Sequence, residues 1–402
     1  MTNMRELMND AAGRAIAYLE SLDERPVRPD PAVVARLGEL ERPLQDGPVD
    51  PAAVLAELDQ YAGATMAMSG PRFFGFVIGG VLPAAQAASW LAGAWDQNTG
   101  AYAATPFTAA LEVVSLHWLV DLLGLPAATG AGFVTGATMA NFSALLAARH
   151  AVLEAAGWDV EADGLFGAPP VTVIVGEEAH PTLFKSLGMA GFGRNRVARV
   201  PVDGQGRMRA DALPPISGPT ILCLQAGNVN TGAFDPAQAI IPRAKAAGAW
   251  VHVDGAFGLW AAVAPRHAHL MAGFADADSW ATDAHKYLNT TYDSGLVFVR
   301  HPAALRAAMA ITAAYLPFGE RRDPSDYTPE LSRRARGIEV WAALRSLGRA
   351  GLAELVERTC RHATRFAEGL RAAGYEVLNE VALNQVLVSF GDAERTRRVI
   401  AA

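Results

Sequence analysis

Between Gly130 and Arg300 the sequence alternates short apolar runs with helical stretches, and run after run ends on a residue able to do chemistry. Gly132–Thr135 leads into G-A-T-M-A-N (136–141) and an Ala/Leu helix reaching His150. V-T-V-I-V (171–175) runs into G-E-E-A-H-P-T (176–182), with a helix from about Leu183. R-V-A-R-V-P-V (196–202) and I-L-C-L-Q-A (221–226) are further strands, and the second opens into G-N-V-N-T-G-A-F-D-P before a helix over 237–247. A-W-V-H-V-D-G-A-F-G (249–258) is a buried strand ending at Asp254. A linking helix follows, then D-S-W-A-T-D-A-H-K (278–286) and the strand S-G-L-V-F-V-R (294–300). Strands alternating with helices predict an α/β fold with a parallel sheet, in which ligand groups gather just past the strand ends.

Four of those ends matter. Gly136, Ala137 and Thr138 form a small-residue turn before a helix, where free N–H groups and the positive dipole end can receive an anion. His180 lies just past its strand. Asp254 puts a carboxylate at the end of an apolar strand, which is costly without a cation or hydrogen bonds. Lys286 is one of only three lysines, with Lys185 and Lys245, in a chain that otherwise uses arginine. Arginine keeps its proton in a protein, whereas a lysine can lose it and form an imine. Each residue alone has a bland alternative: a helix cap, a structural histidine, a salt-bridged aspartate, a surface lysine. In a parallel sheet, however, these ends share one edge. A lysine for an imine, an aspartate facing a ring nitrogen, an imidazole over a ring and a phosphate cradle together describe a pyridoxal 5'-phosphate (PLP) site. The small Ala256 allows close approach on the other ring face, and His285 can reach the phosphate or the imine.

The chain resembles the group II pyridoxal-dependent decarboxylases, which include aromatic L-amino-acid, tyrosine, glutamate and histidine decarboxylases. The resemblance spans roughly residues 65–350. It rests on G-F-V-T-G-A-T-M-A-N-F-S-A-L-L-A-A-R-H (132–150), E-E-A-H (177–180), H-V-D-G-A-F-G (252–258) and D-A-H-K-Y-L-N (283–289). It implies a fold-type I architecture, with a mostly parallel seven-stranded sheet in the large domain, and a homodimer with active sites at the interface. It implies Lys286 as the internal aldimine, Asp254 on the pyridine nitrogen and His180 stacked on the ring. Gly136, Ala137, Thr138 and His285 are expected near the phosphate, with Asp283 and Ala256 also among the cofactor-binding residues. The implied reaction is decarboxylation of an L-amino acid through an external aldimine and a quinonoid. A mobile loop bringing a tyrosine to the site is implied for the charged, aperiodic stretch Pro317–Arg336, and Tyr327 is the candidate. The turn departs from the family pattern at Ala137 and Met139, and Val229 stands where some members carry a threonine. These departures leave open an aminotransferase, a carbon–carbon lyase or a non-catalytic PLP-binding protein.

The apolar stretch around Phe73–Phe76, and the want of an obvious arginine for a side-chain carboxylate, favour aromatic substrates. The net charge of −7 and pI near 5.7 argue against nucleic-acid or anionic-membrane partners. Two cysteines, Cys223 and Cys360, give neither a disulfide framework nor a zinc spacing, so no metal is expected and a reducing, cytoplasmic setting fits. The N-terminus lacks a signal-peptide core, and no apolar run approaches eighteen residues. The expected organisation is an N-terminal helical arm (1–64), a large PLP-binding domain (65–315), a loop and linker (316–336) and a small C-terminal α/β domain (337–402). The last ends within what reads as a helix after two strands (376–390), as though incomplete.

Overall fold

The computed structural model describes residues 3–311 and 321–401. The chain forms two compact units, Met1–Gly80 and Val81–Ala402, so the segment 65–80 goes with the arm. The arm carries helices α1 (Met4–Glu20), α2 (Pro31–Ala35) and α3 (Pro51–Asp59). Their starts are written locally. Asn3, Asp30 and Asp50 each cap an N–H two residues on, and proline occupies the first turn of α2 and α3. Arg14 joins α1 to α3 by pairing with Asp10 at 3.0 Å and Asp59 at 2.8 Å.

The second unit opens with α4 (Pro83–Trp95) and α5 (Pro106–Leu122). There follow β1 (Gly130–Val134), α6 (Ala137–Glu154), α7 (Val160–Asp163), β2 (Thr172–Gly176), α8 (Pro181–Met189), β3 (Ala198–Val200) and β4 (Thr220–Gln225). Next come α9 (Ala237–Ala246), β5 (Trp250–Asp254), β6 (Ser279–Asp283), β7 (Gly295–Val299), α10 (Pro302–Met309) and α11 (Gly337–Ala372). A two-stranded sheet, β8 (Glu376–Val377) with β9 (Val388–Ser389), and α12 (Ala393–Ala401) close the described chain.

The described residues build a seven-stranded sheet in the order β1-β7-β6-β5-β4-β2-β3. All pairings are parallel except those of β7, which runs antiparallel to both β1 and β6. The strands whose ends carry the candidate residues therefore point the same way. The sheet interior is dry: β4, β5, β6 and β7 are buried along their whole length, as continuous apolar strands require. Helix α6, buried at Ala140, Ala144, Leu145, Ala147 and Ala148, lies over the sheet on small side chains.

Two stretches differ from expectation. The link from β5 to β6 is three 3-10 turns (Gly258–Val263, Ala268–Met271, Phe274–Asp276) rather than a helix. Two buried indoles fix it: Trp260 donates to the Asp283 carbonyl at 3.0 Å and Trp280 to the Phe274 carbonyl at 2.8 Å. The second stretch is the charged segment expected to be a mobile loop. Residues 317–320 lie outside the described residues, but 321–336 is packed. Arg333 has no exposed side-chain surface and donates to Glu112 at 2.6 Å, to the Thr99 carbonyl at 3.0 Å and to the Phe133 carbonyl at 2.7 Å. Arg322 and Arg333 thus turn inward, while Arg321 and Arg334 stay exposed. Within α11, Gly348 takes φ +60°, and the helix kinks there. No helix among the described residues is long and apolar enough to cross a membrane.

Candidate active site

At the shared strand edge the chain brings Lys286, Asp283 and His285 into one cluster. Lys286 Nζ lies 3.0 Å from Asp283 Oδ2 and 5.9 Å from the centre of the Phe257 ring. Asp283 Oδ1 accepts the Ala137 N–H at 2.6 Å, at the start of α6. The preceding residue, Gly136, adds no side-chain cap, so Asp283 meets the first N–H of the helix and the next turn of N–H groups faces outward toward an anion. A Cβ on Gly136 would press on the His285 ring at 3.3 Å, and one on Gly295 would strike the Gly136 backbone at 2.4 Å. Both glycines are needed for close approach rather than for an unusual backbone angle.

His285 has a defined tautomer. Its Nδ1 accepts the Ser294 N–H at 3.1 Å, so the ring hydrogen sits on Nε2, 3.4 Å from Asp283 Oδ1. Burial lowers its pKa, opposed by the Asp283 charge. Tyr292 stacks on this ring, with centroids 4.3 Å apart and planes inclined by 29°. Burial and the Asp283 charge push the Tyr292 phenol up to about 12, so it remains a donor.

Asp254 ends β5 and is 4% exposed. Its Oδ2 accepts from Asn141 Nδ2 at 3.0 Å and its Oδ1 from the Ala256 N–H at 3.3 Å. Burial raises its pKa, while His180, Lys286 and those two donors pull it down. His180 lines the same cleft as Asp254, together with Ala179, Cys223, Gln225 and Asp235. Its Nδ1 accepts the Thr182 N–H at 3.3 Å at the start of α8, which holds the ring. Burial lowers its pKa first, with Asp254 acting in the opposite direction. The Ala256 carbonyl accepts from the Asp283 N–H at 2.9 Å and from Thr282 Oγ1 at 3.2 Å, which ties the Asp254 turn to the lysine strand. Thr138 sits in the first turn of α6, and its carbonyl accepts from Ser186 at 2.9 Å.

Tyr327 is not in this cluster. It ends a 3-10 turn (Pro324–Tyr327) alongside β1, where its carbonyl would meet a Cβ on Gly132 at 2.6 Å. The Arg322 guanidinium lies 4.1 Å over its ring, and the ring packs on the core beneath α6 and α10. In this chain Tyr327 is held by that packing and not beside Lys286. The phenol brought to the cluster is that of Tyr292. Sequence reasoning did not single out Tyr292, Asn141 or His252. For His252 a signal existed: in H-V-D, positions 252 and 254 point to one face of the strand.

These residues fit PLP. A buried carboxylate with no ion pair among the described residues calls for a cationic partner, and a protonated ring nitrogen is one. A helix N-terminus whose first N–H alone is met, by Asp283, and whose N-cap residue is a glycine suits an anion such as phosphate. Comparison with known proteins agrees: the model of the pyridoxal-dependent decarboxylase conserved domain matches residues 42–391. The chain belongs to the pyridoxal-dependent decarboxylases. Tryptophan decarboxylase 1 of Oryza sativa subsp. japonica is 28% identical over 418 residues, covering 96% of this chain and 80% of its own length. The aromatic-L-amino-acid decarboxylase of Bacillus atrophaeus is 25% identical over 383 residues, covering 92% and 77%. The crystal structure of Oryza sativa TDC with PLP and tryptamine matches with a TM-score of 0.84 and 26% identity, over 93% of this chain and 80% of that one. The fold is thus the fold-type I arrangement, the cofactor is PLP, and the enzyme is a PLP-dependent carboxy-lyase acting on amino acids.

Proposed function

We propose that this decarboxylase acts on an L-amino acid with an aromatic side chain, with Lys286 as the residue that carries the cofactor. The observation that carries the residue assignment is the meeting of Lys286, Asp283 and His285 at the same sheet edge as Asp254 and His180. Gly136, Ala137 and Thr138 would hold the phosphate at the start of α6, helped by His285. His180 would cover one ring face, Ala256 would leave room on the other, and Asp254 would face the ring nitrogen. When bound, PLP supplies a protonated ring that draws off the electrons released as carbon dioxide leaves. The chain's part is to keep that charge in place. Asp254 supplies a buried negative charge, and Asp283 Oδ2, 3.0 Å from Lys286 Nζ, holds the amine in place at the sheet edge. His285 Nε2–H points at Asp283 and steadies it.

The aromatic preference is supported by the relatives that decarboxylate tryptophan and aromatic L-amino acids. In the arm unit the Phe73 and Phe76 rings stack at 6.4 Å, and Phe74 and Phe76 are exposed. The same unit leaves Met4, Met8, Leu44 and Leu58 exposed, which is in keeping with a homodimer as the working form, and the free Cys223 and Cys360 suit a cytoplasmic setting. The deciding experiment measures carbon dioxide release over the twenty amino acids with PLP-loaded protein of known sedimentation mass. Release is expected to be fastest with aromatic substrates from a dimer, and a visible cofactor band should vanish in Lys286→Ala. A band that persists in Lys286→Ala sinks the lysine assignment. Keto acid without carbon dioxide would replace decarboxylation by transamination.

A further inference from the structure

Five polar side chains run in one line through the sheet interior and end on Asp254. Trp250 Nε1 donates to Ser279 Oγ at 2.9 Å. Ser279 Oγ lies 2.9 Å from His252 Nδ1, and His252 Nε2 lies 2.8 Å from Asn141 Oδ1. Asn141 Nδ2 then donates to Asp254 Oδ2 at 3.0 Å. His252, Ser279 and Asn141 have no exposed surface, so bulk water does not compete for these bonds.

One arrangement of hydrogens satisfies the whole line. An indole N–H can only donate, so Ser279 accepts from Trp250 and turns its own hydrogen toward His252 Nδ1. The imidazole hydrogen must then sit on Nε2 and donate to Asn141 Oδ1. The Asn141 amide is thereby turned with its NH2 toward Asp254. The last bond is strongest when Asp254 is ionised, since a charged acceptor shortens and strengthens it. Were His252 to take the other tautomer, Asn141 would rotate and present its oxygen to the carboxylate. Two facing acceptors in a dry site would drive a proton onto Asp254.

We propose that this line of hydrogen bonds is a positioning device that keeps Asp254 ionised by fixing the His252 tautomer and the Asn141 amide, with Ser279 as the residue on which the setting turns. The proposal rests on the reading that Asp254 faces the cofactor's ring nitrogen. A protonated Asp254 would no longer be the counter-charge for that nitrogen, so cofactor affinity and its pH dependence both depend on the line. The other groups facing Asp254 are His180, Lys286, the Ala256 N–H and the Cys223 thiol on neighbouring β4. Across from His252 stands Cys223, its partner in register on β4. Burial holds His252 near a pKa of about 3, so it stays neutral and passes on orientation rather than a proton.

The test compares Ser279→Ala, Ser279→Thr and Asp254→Ala in the full chain, with folding checked by circular dichroism and melting. The readouts are the PLP dissociation constant and the pH dependence of the visible band of the loaded protein. Ser279→Ala is expected to weaken PLP binding roughly tenfold or more and to move the pH transition, because it leaves a buried donor and acceptor unpaired. Ser279→Thr, which keeps the hydroxyl, restores both. If Ser279→Ala does not fold, Asn141→Leu, of similar size, removes the donor to Asp254 and is read in the same way. Unchanged affinity and pH profile in these variants, with both lost in Asp254→Ala, would overturn the proposal alone. If Asp254→Ala itself binds PLP like the parent protein, the reading of Asp254 falls and takes the proposal with it.

Discussion

Two buried polar clusters lie within the same unit and are built on opposite plans. Around Asp254 a single charge is met by neutral groups: Asn141, His252, Ser279 and Trp250, each partnered in turn. Around Glu112 the charges meet one another. Arg333 pairs with it at 2.6 Å and Arg322 approaches within 3.8 Å, while Glu112 Oε2, Arg322 Nη1 and Arg333 Nε find no hydrogen-bond partner. The first cluster leaves its carboxylate short of a cation at the site. The second closes on itself and fastens the segment 321–336 to α5 and β1. A charge kept short of a counter-ion is available to a ligand, and a charge paired with its opposite inside the protein holds the fold.

That contrast can be broken or sharpened in three ways. Arg333→Met strands the buried Glu112 charge and is expected to cost about 3–5 kcal/mol of stability by urea unfolding. Asp254→Asn relieves a buried charge and should cost far less stability while abolishing cofactor binding. If the two variants change places, the contrast is wrong. Acid should attack the first cluster. The folded value of His252, about 3, lies below its ordinary 6.5, so the unfolded chain takes up the proton first as pH falls. Stability is complete above 6.5 and drains away toward 3, by about 2 kcal/mol at pH 5 for this one group. His285 and His180 are lowered by burial too and act in the same direction. Urea midpoints at pH 7.5 and pH 5 should show the loss, lessened in His252→Gln and unaltered in slope by Arg333→Met. The smallest effect is Trp250→Phe, which removes one donor from the line and should cost about 1 kcal/mol in thermal unfolding.

Much of the site was legible because its residues are tied to strand ends. Asp254 follows a buried apolar run, Lys286 stands out in a chain short of lysine, and Gly136–Thr138 opens a long Ala/Leu helix; local pattern alone marks all three. What escaped depends on contacts distant in sequence. Asn141 meets Asp254 across 113 positions and Arg333 meets Glu112 across 221, and no periodicity announces either. Tyr327 reads as a loop residue because it stands in a charged, proline-rich stretch, and its packing on the core was not legible there. Its neighbours Arg322 and Arg333 turn inward to find Glu112, which charge counting along the chain does not foresee. The three 3-10 turns between β5 and β6 were read as a helix because composition does not show that Trp260 and Trp280 pin the backbone from within.

The reversal of β7 bears on how this enzyme could change. Because β7 returns antiparallel to β6, the lysine sits in the connection of a hairpin, residues 284–294, whose two ends are held in register by adjoining strands. An insertion there would have to slip a buried strand past both neighbours or bulge into the turn at Gly136, whose backbone lies against Gly295. The segments after β2 and β4 lead instead into helices α8 and α9. The lysine hairpin is therefore expected to keep its length while what the enzyme accepts changes elsewhere.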